Sequence, residues 1–193
     1  MQRHPYLLAI PAAALIAAAG TACGAGAAKP MVPTVSPTSS PTASPTAHGQ
    51  VSAQDRSWLT EIHQVNLAEV EVGNLAEKKG ATSTVRSAGR RLAHDHSHLD
   101  DKTTSVARQV GVSLPGAVAP ADAKVADRLK TESGKTFDQD FLAAMVSGHE
   151  KAIADTKTQI SQGSSPQVVA LAKEALPHLR EHLAMLRKAQ SSG

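Results

Sequence analysis

The stretch STVRSAGRRLAHDHSHLDDKTTSVARQV, residues 83–110, shows most clearly which fold this chain adopts. Its apolar residues recur every three or four positions, which is the period of one face of an α-helix. Gly111 follows directly, and glycine is typical of the end of a helix. The pattern predicts one long helix whose buried face consists of Val85, Ala88, Leu92, His96, Leu99, Thr103 and Val106.

The same period occurs in three further long segments, at 53–79, 137–162 and 166–190. A shorter helical segment at 122–131 follows a connection that contains proline and glycine. These segments are rich in Ala, Leu, Lys, Glu and Gln and lack alternating β-branched runs, which favours helix over strand. We therefore predict an all-α domain at 53–190. We expect this domain to be an antiparallel four-helix bundle with a short extra helix in the middle connection.

The N-terminus has the features of a signal for export. Arg3 and His4 precede a short apolar stretch at 6–19, and small residues follow it up to Ala22. Cys23, the single cysteine, stands where cleavage is expected, which resembles a bacterial lipobox. We interpret 1–22 as a signal peptide and Cys23 as the site of a lipid anchor on the outer face of the membrane. The alternative is an ordinary signal peptide and a secreted protein in which Cys23 has no role.

Residues 23–52 are dominated by Pro, Ser, Thr and Ala and cannot bury a core, so we expect a disordered tether there. Residues 1–50 contain no Asp or Glu, and Arg3 and Lys29 are their strong bases. The remainder carries 18 Lys and Arg against 17 Asp and Glu, so the folded part is close to neutral. A basic face for nucleic acid is therefore not expected, and the sequence names no protein partner.

One polar residue interrupts the apolar face of each long helix, near the middle of that helix. These residues are Glu69, His96, His149 and His182. Three imidazoles and a carboxylate that meet in a bundle core would suit a divalent transition metal such as Zn, Cu or Fe. The alternative is a set of hydrogen-bonded core residues that only fix how the helices pack.

Further residues near these four would assist or replace them. Asp95 borders the core and would hold the second nitrogen of a neighbouring histidine. His178, one turn before His182, and Met145, one turn before His149, are alternative ligands. The conspicuous pair His94 and His98 lies on the opposite face from His96, so we expect both to be exposed to solvent.

Four segments of the chain resemble the exported bacterial family known as domain of unknown function 4142. The segments are NLAEVEVG at 66–73, LAHDH at 92–96, GKTFD at 134–138 with MVSGH at 145–149, and LPHLREHL at 176–183. The resemblance implies a ferritin-like bundle with Glu69, Asp95, His96, His149 and His182 at positions of the family pattern. It implies no established activity. The Glu-x-x-His pairs of di-iron proteins do not occur in the sequence, so ferroxidase chemistry is not expected.

Three classes of function remain at this stage. The first is an exported metal-binding protein, and the second is a non-catalytic stress or interaction module of the cell envelope with a structural polar core. An enzyme ranks last, because no Ser-His-acid order, nucleotide-binding loop or cysteine nucleophile is evident.

Overall fold

The computed structural model describes residues 50–192, and all regular elements within them are helices. They are α1 (Ala53–Lys79), α2 (Ser83–Gln109), α3 (Pro120–Thr131), α4 (Gly134–Gln162) and α5 (Pro166–Ser191). The prediction of an all-α domain is thereby confirmed for the described residues. The predicted signal peptide, Cys23 and nearly all of the predicted tether lie outside the described residues.

Two helices begin earlier than the sequence pattern predicts. The α3 helix starts at Pro120 rather than 122, because proline has the backbone angle of a first helical turn and needs no hydrogen-bond partner there. The α4 helix starts at Gly134 rather than 137. Its first turn exposes Lys135 and Thr136, so no buried apolar residue marks it in the sequence.

The four long helices pack in pairs, with α1 against α2 and α4 against α5. Contacts of α1 with α4 and of α2 with α5 connect the two pairs. The α1–α2 contact is close at Gly73 and Gly89, where a Cβ on Gly89 would lie 2.6 Å from the Gly73 carbonyl oxygen. The α3 helix packs on α1 and α4.

The core contains two separate apolar clusters. We call the first the Trp58 cluster, which includes Trp58, Leu59, Ile62, Leu99, Ala152, Ile153, Leu171 and Leu179. We call the second the Phe137 cluster, which includes Val72, Leu92, Phe137, Phe141, Met145 and Leu186. Each long helix contributes residues to both clusters, so a layer between the two crosses the middle of every long helix.

Within residues 50–192, no helix is both long enough and apolar enough to span a lipid bilayer.

Candidate metal centre

The polar residues predicted from the sequence lie between the two apolar clusters. Along α1, Glu69 follows Ile62 of the Trp58 cluster and precedes Val72 of the Phe137 cluster. The three histidines occupy the equivalent place on α2, α4 and α5. All four side chains are buried, with exposed fractions of 4% for Glu69, 1% for His96, 0% for His149 and 2% for His182.

His149 is held by an oxygen atom on one side of its ring. Its Nδ1 lies 2.9 Å from the carbonyl oxygen of Met145 and 3.3 Å from Oε1 of Glu69. Both oxygens accept hydrogen bonds, so Nδ1 carries the proton of the neutral ring. The lone pair is therefore on Nε2.

His182 is held through its other ring nitrogen, Nε2. Its Nε2 lies 2.9 Å from Oδ2 of Asp95, a carboxylate that only accepts. Burial raises the pKa of the Asp95 carboxyl, but hydrogen bonds from His94, His182 and Arg91 lower it by more, so Asp95 is ionised. The proton of His182 is thus on Nε2, and the lone pair is on Nδ1.

The two lone pairs point at each other. His149 Nε2 and His182 Nδ1 are 3.4 Å apart in the interior of the protein. Burial lowers the pKa of His182 to about 4 and lowers that of His149 as well, so both rings are neutral at pH 7. Two neutral acceptors at this distance have no proton between them, and a cation would remove their repulsion.

His96 completes a group of three rings. Its Nδ1 lies 2.9 Å from Oδ1 of Asn66 and donates a hydrogen bond to that oxygen. The ring proton is therefore on Nδ1, and the lone pair is on Nε2. Its ring centroid is 5.5 Å from that of His149 and 5.2 Å from that of His182. One potential ligand nitrogen of each histidine lies within 4.8 Å of the other two.

Glu69 lies beside this group rather than inside it. Its Oε2 is 3.1 Å from Nε2 of His96, yet the two atoms are not aligned for a hydrogen bond, and each lacks a hydrogen-bond partner. Buried polar atoms are usually satisfied, so two that face each other unpaired require an explanation. A metal ion bound by both atoms would supply it.

Two clefts approach the centre from opposite sides. The first, about 290 Å³, lies between α2 and α5 and is lined in part by Asp95, His96, His98, His178 and His182. The second, about 340 Å³, lies among α1, α3 and α4 and is lined in part by Glu69, Val72, Asp122, Val125 and Met145. The first cleft reaches the rings of His96 and His182, and the second reaches the carboxylate of Glu69.

The structure therefore brings His96, His149 and His182 together with Glu69 beside them, and Oδ2 of Asp95 contacts Nε2 of His182. His178 is exposed in the first cleft, not in the group of three rings. Met145 is buried and contributes its carbonyl oxygen to His149. His94 and His98 are exposed, as expected from their register on α2.

Sequence reasoning missed two buried polar residues near this layer, Asn66 and His63. Asn66 lies one turn before Glu69 on α1, on a buried face, and this spacing was the available signal. His63 is also buried, with Nδ1 2.7 Å from Oδ1 of Asp100 and Nε2 3.0 Å from the Pro115 carbonyl oxygen. It fastens the connection after α2 to α1 and lies outside the histidine group.

Comparisons with known proteins bear on family and fold. The sequence profile of a family described as a domain of unknown function, DUF4142, matches residues 40–189. Among solved structures, the chain is similar to a DUF305 fragment from Deinococcus radiodurans, with a TM-score of 0.66 and 15% sequence identity. The match covers 74% of this chain and 99% of the fragment, and at this identity it supports the fold alone. No curated protein matches the sequence.

Proposed function

This chain belongs to the DUF4142 family of domains of unknown function, and we propose that it binds one divalent transition metal ion in its core. The ligands are His96 Nε2, His149 Nε2 and His182 Nδ1, with the Glu69 carboxylate available for the fourth position. The observation that carries the proposal is the 3.4 Å contact between two buried imidazole nitrogens, both of which carry lone pairs.

The distances suit a tetrahedral ion. Two nitrogens that each lie about 2.05 Å from such an ion are about 3.3 Å from each other. The separation of 3.4 Å between His149 and His182 is close to this value, and so is the 3.1 Å between His96 Nε2 and Glu69 Oε2. One nitrogen from each of the three rings lies within 4.8 Å of the other two, so binding of a single ion by all three requires the rings to rotate toward it.

The donor set favours Zn, Cu or Fe over Mg or Ca, because imidazole nitrogen suits the former and all-oxygen sites suit the latter. Each proposed ligand ring is fixed by an oxygen on its other nitrogen, from Asn66, Met145 or Asp95. Such outer contacts orient metal-binding histidines and make them more basic.

We also propose that the four long helices form a ferritin-like antiparallel bundle. From N- to C-terminus, α1 and α5 run from the Trp58 cluster to the Phe137 cluster, whereas α2 and α4 run the other way. Every main contact between long helices then joins two antiparallel neighbours. Because α2 and α4 run in the same direction, the connection that contains α3 must return along the length of the bundle, as in ferritin-like folds.

The cellular setting belongs to the proposal as well. Residues 1–22 act as a signal peptide, Cys23 carries the lipid anchor, and residues 23–52 hold the bundle away from the membrane surface. The support is the order of basic start, apolar stretch, small residues and cysteine in the sequence. Cys23→Ser should release the protein from the membrane fraction, and unchanged retention would contradict lipidation.

Metal analysis of the untagged protein tests the core site. We expect about one Zn²⁺ per chain after dialysis in excess Zn²⁺ and removal of free ion, and loss of that ion in His149→Ala and His182→Ala. The matched control is Thr103→Ala, which alters another buried polar side chain on α2, two turns from His96. Wild-type protein that retains no Zn²⁺, Cu²⁺ or Fe²⁺ would contradict the proposal.

A second candidate function needs no metal. If the Asn66 amide is rotated by 180°, its Nδ2 donates to His96 Nδ1, and His96 Nε2–H faces Glu69 Oε2 at 3.1 Å. The four polar residues would then fix the packing of an envelope stress or interaction module. The poor alignment of Nε2 with Oε2 counts against this arrangement, as does the contact between His149 and His182.

A further inference from the structure

A second pair of histidine nitrogens converges on the surface of α2. Nε2 of His94 and Nε2 of His98 are 3.3 Å apart, and both side chains are exposed. The residues are one turn apart on a rigid helix, so the backbone itself holds the two rings side by side. Their separation equals the distance of about 3.3 Å that two nitrogens bound to one tetrahedral ion would have.

Asp95 links this pair to the core. Its Oδ1 lies 2.9 Å from Nδ1 of His94, and its Oδ2 lies 2.9 Å from Nε2 of His182. The carboxylate fixes the proton of His94 on Nδ1, so Nε2 of His94 presents a lone pair toward His98. His98 Nε2 becomes a second donor when the ring carries its proton on the exposed Nδ1.

The first cleft adjoins this pair at His98. His98 lines the cleft together with His178, and the same cleft reaches His96 and His182 of the core. Glu174 and Glu181 also line the cleft, where Glu174 is paired with Lys102 and Glu181 with Arg91. A divalent ion that enters at His98 therefore passes His178 before it reaches His96 and His182.

We propose that His94 and His98 form a second site for a divalent transition metal, which captures the ion at the surface and loads the core through the first cleft. The existence of the surface site stands on its own geometry, whereas the loading role rests on the proposed core site. The surface site has two protein ligands and is solvated, so it binds the ion more weakly and releases it faster than the core.

The test uses the untagged full-length chain with Zn²⁺ alone. Equilibrium dialysis at saturating Zn²⁺ should give two ions per chain for wild type and one each for His98→Ala and His149→Ala. The double variant His98→Ala/His149→Ala should bind none. At limiting Zn²⁺, filling of the core should be at least several-fold slower in His98→Ala, with the same final occupancy, whereas the exposed neighbour variant Ser97→Ala should behave as wild type.

The outcomes separate the two proposals. If wild type binds a single ion that His149→Ala loses and His98→Ala keeps, the core site stands while the surface site and the loading role are wrong. If wild type binds a single ion that His98→Ala loses, the surface site stands while the core site and the loading role are wrong. Two ions with an unchanged filling rate in His98→Ala would overturn the loading role.

Discussion

At the residue scale, what distinguishes the core histidines is which nitrogen of each ring is engaged by an oxygen. His149 uses Nδ1 and His182 uses Nε2, so the free nitrogens of the two rings face each other despite their positions on different helices. If one of the two rings had carried its proton on the nitrogen that faces the other ring, the pair would have formed an ordinary N–H···N hydrogen bond. The particular choice of oxygen acceptors is what makes the layer suitable for a cation.

Asn66 provides a prediction at this scale. Asn66→Ala removes the oxygen that fixes His96, so His96 loses its orientation and its preference for a free Nε2. We expect the affinity for Zn²⁺ to fall by about 10- to 100-fold, as for other losses of outer contacts at metal sites. Competition for Zn²⁺ with a chelator of known affinity measures the dissociation constants of wild type and Asn66→Ala.

The control for Asn66→Ala is Asn74→Ala, an exposed asparagine on the same helix. If Asn66→Ala and Asn74→Ala bind Zn²⁺ equally well, the Asn66 contact does not orient a ligand.

The register of the apolar faces was enough to place Glu69, His96, His149 and His182 at one level, and to separate His96 from His94 and His98. The contacts of Asn66 and of the Met145 carbonyl were not predicted. They depend on side-chain rotamers and on how far α1 and α2 are offset along their axes, and periodicity does not contain this information.

At the element scale, the approach of α1 to α2 depends on two glycines. A Cβ on Gly89 would lie 2.6 Å from the carbonyl oxygen of Gly73 and 2.7 Å from Cβ of Ala76, and neither atom belongs to a flexible side chain. The helices would have to move apart, and the residues around the histidine layer would move with them.

We therefore expect Gly89→Ala to lower the free energy of unfolding by about 1–3 kcal/mol, even though alanine favours helix more than glycine does. Denaturant titration followed by circular dichroism measures the change. The matched control is Gly116→Ala, because a Cβ there meets no atom within 4 Å. An unchanged or higher stability of Gly89→Ala would show that the close contact does not constrain the two helices.

The helices themselves were the most predictable level. Their apolar period gave the number and approximate extent of all five, and the errors occurred at the starts of α3 and α4. Those first turns are mostly exposed and are defined by backbone hydrogen bonds and by Pro120, so a pattern of buried residues cannot reveal them.

At the scale of the whole molecule, a buried carboxylate joins the start of the domain to the connection between α4 and α5. Asp55 accepts hydrogen bonds from Ser52, from Gln159 Nε2 at 2.6 Å and from the backbone N–H of Ser165 at 3.1 Å. Ser164 donates to it as well. Burial raises the pKa of Asp55, but these hydrogen bonds lower it by more, to well below the ordinary value.

This arrangement predicts how stability depends on pH. A carboxyl whose pKa is lower in the folded state stabilises the protein above the unfolded-state pKa of about 3.9, and this contribution disappears as pH falls toward the folded-state pKa. Asp55→Ala should reduce the free energy of unfolding by about 3 kcal/mol at pH 7, since several buried donors lose their acceptor. The difference from wild type should narrow below pH 4.

Urea titrations of wild type and Asp55→Ala at pH 7 and at pH 3 measure this effect. Asp127→Ala, which removes an exposed carboxylate on α3, is the control. A difference between wild type and Asp55→Ala that stays constant from pH 7 to pH 3 would mean that ionised Asp55 is not the source of the stability. The contacts of Asp55 with Gln159 and Ser165 could not be predicted from the sequence, because these partners lie more than a hundred positions away along the chain.

The central claim is that one metal ion occupies the polar layer between the two apolar clusters. Its most direct test is a crystal of the untagged protein soaked in Zn²⁺, with anomalous diffraction recorded at the zinc edge. We predict a peak about 2.0–2.1 Å from His96 Nε2, His149 Nε2 and His182 Nδ1. A map with zinc peaks on the protein surface and none between these three rings would contradict it.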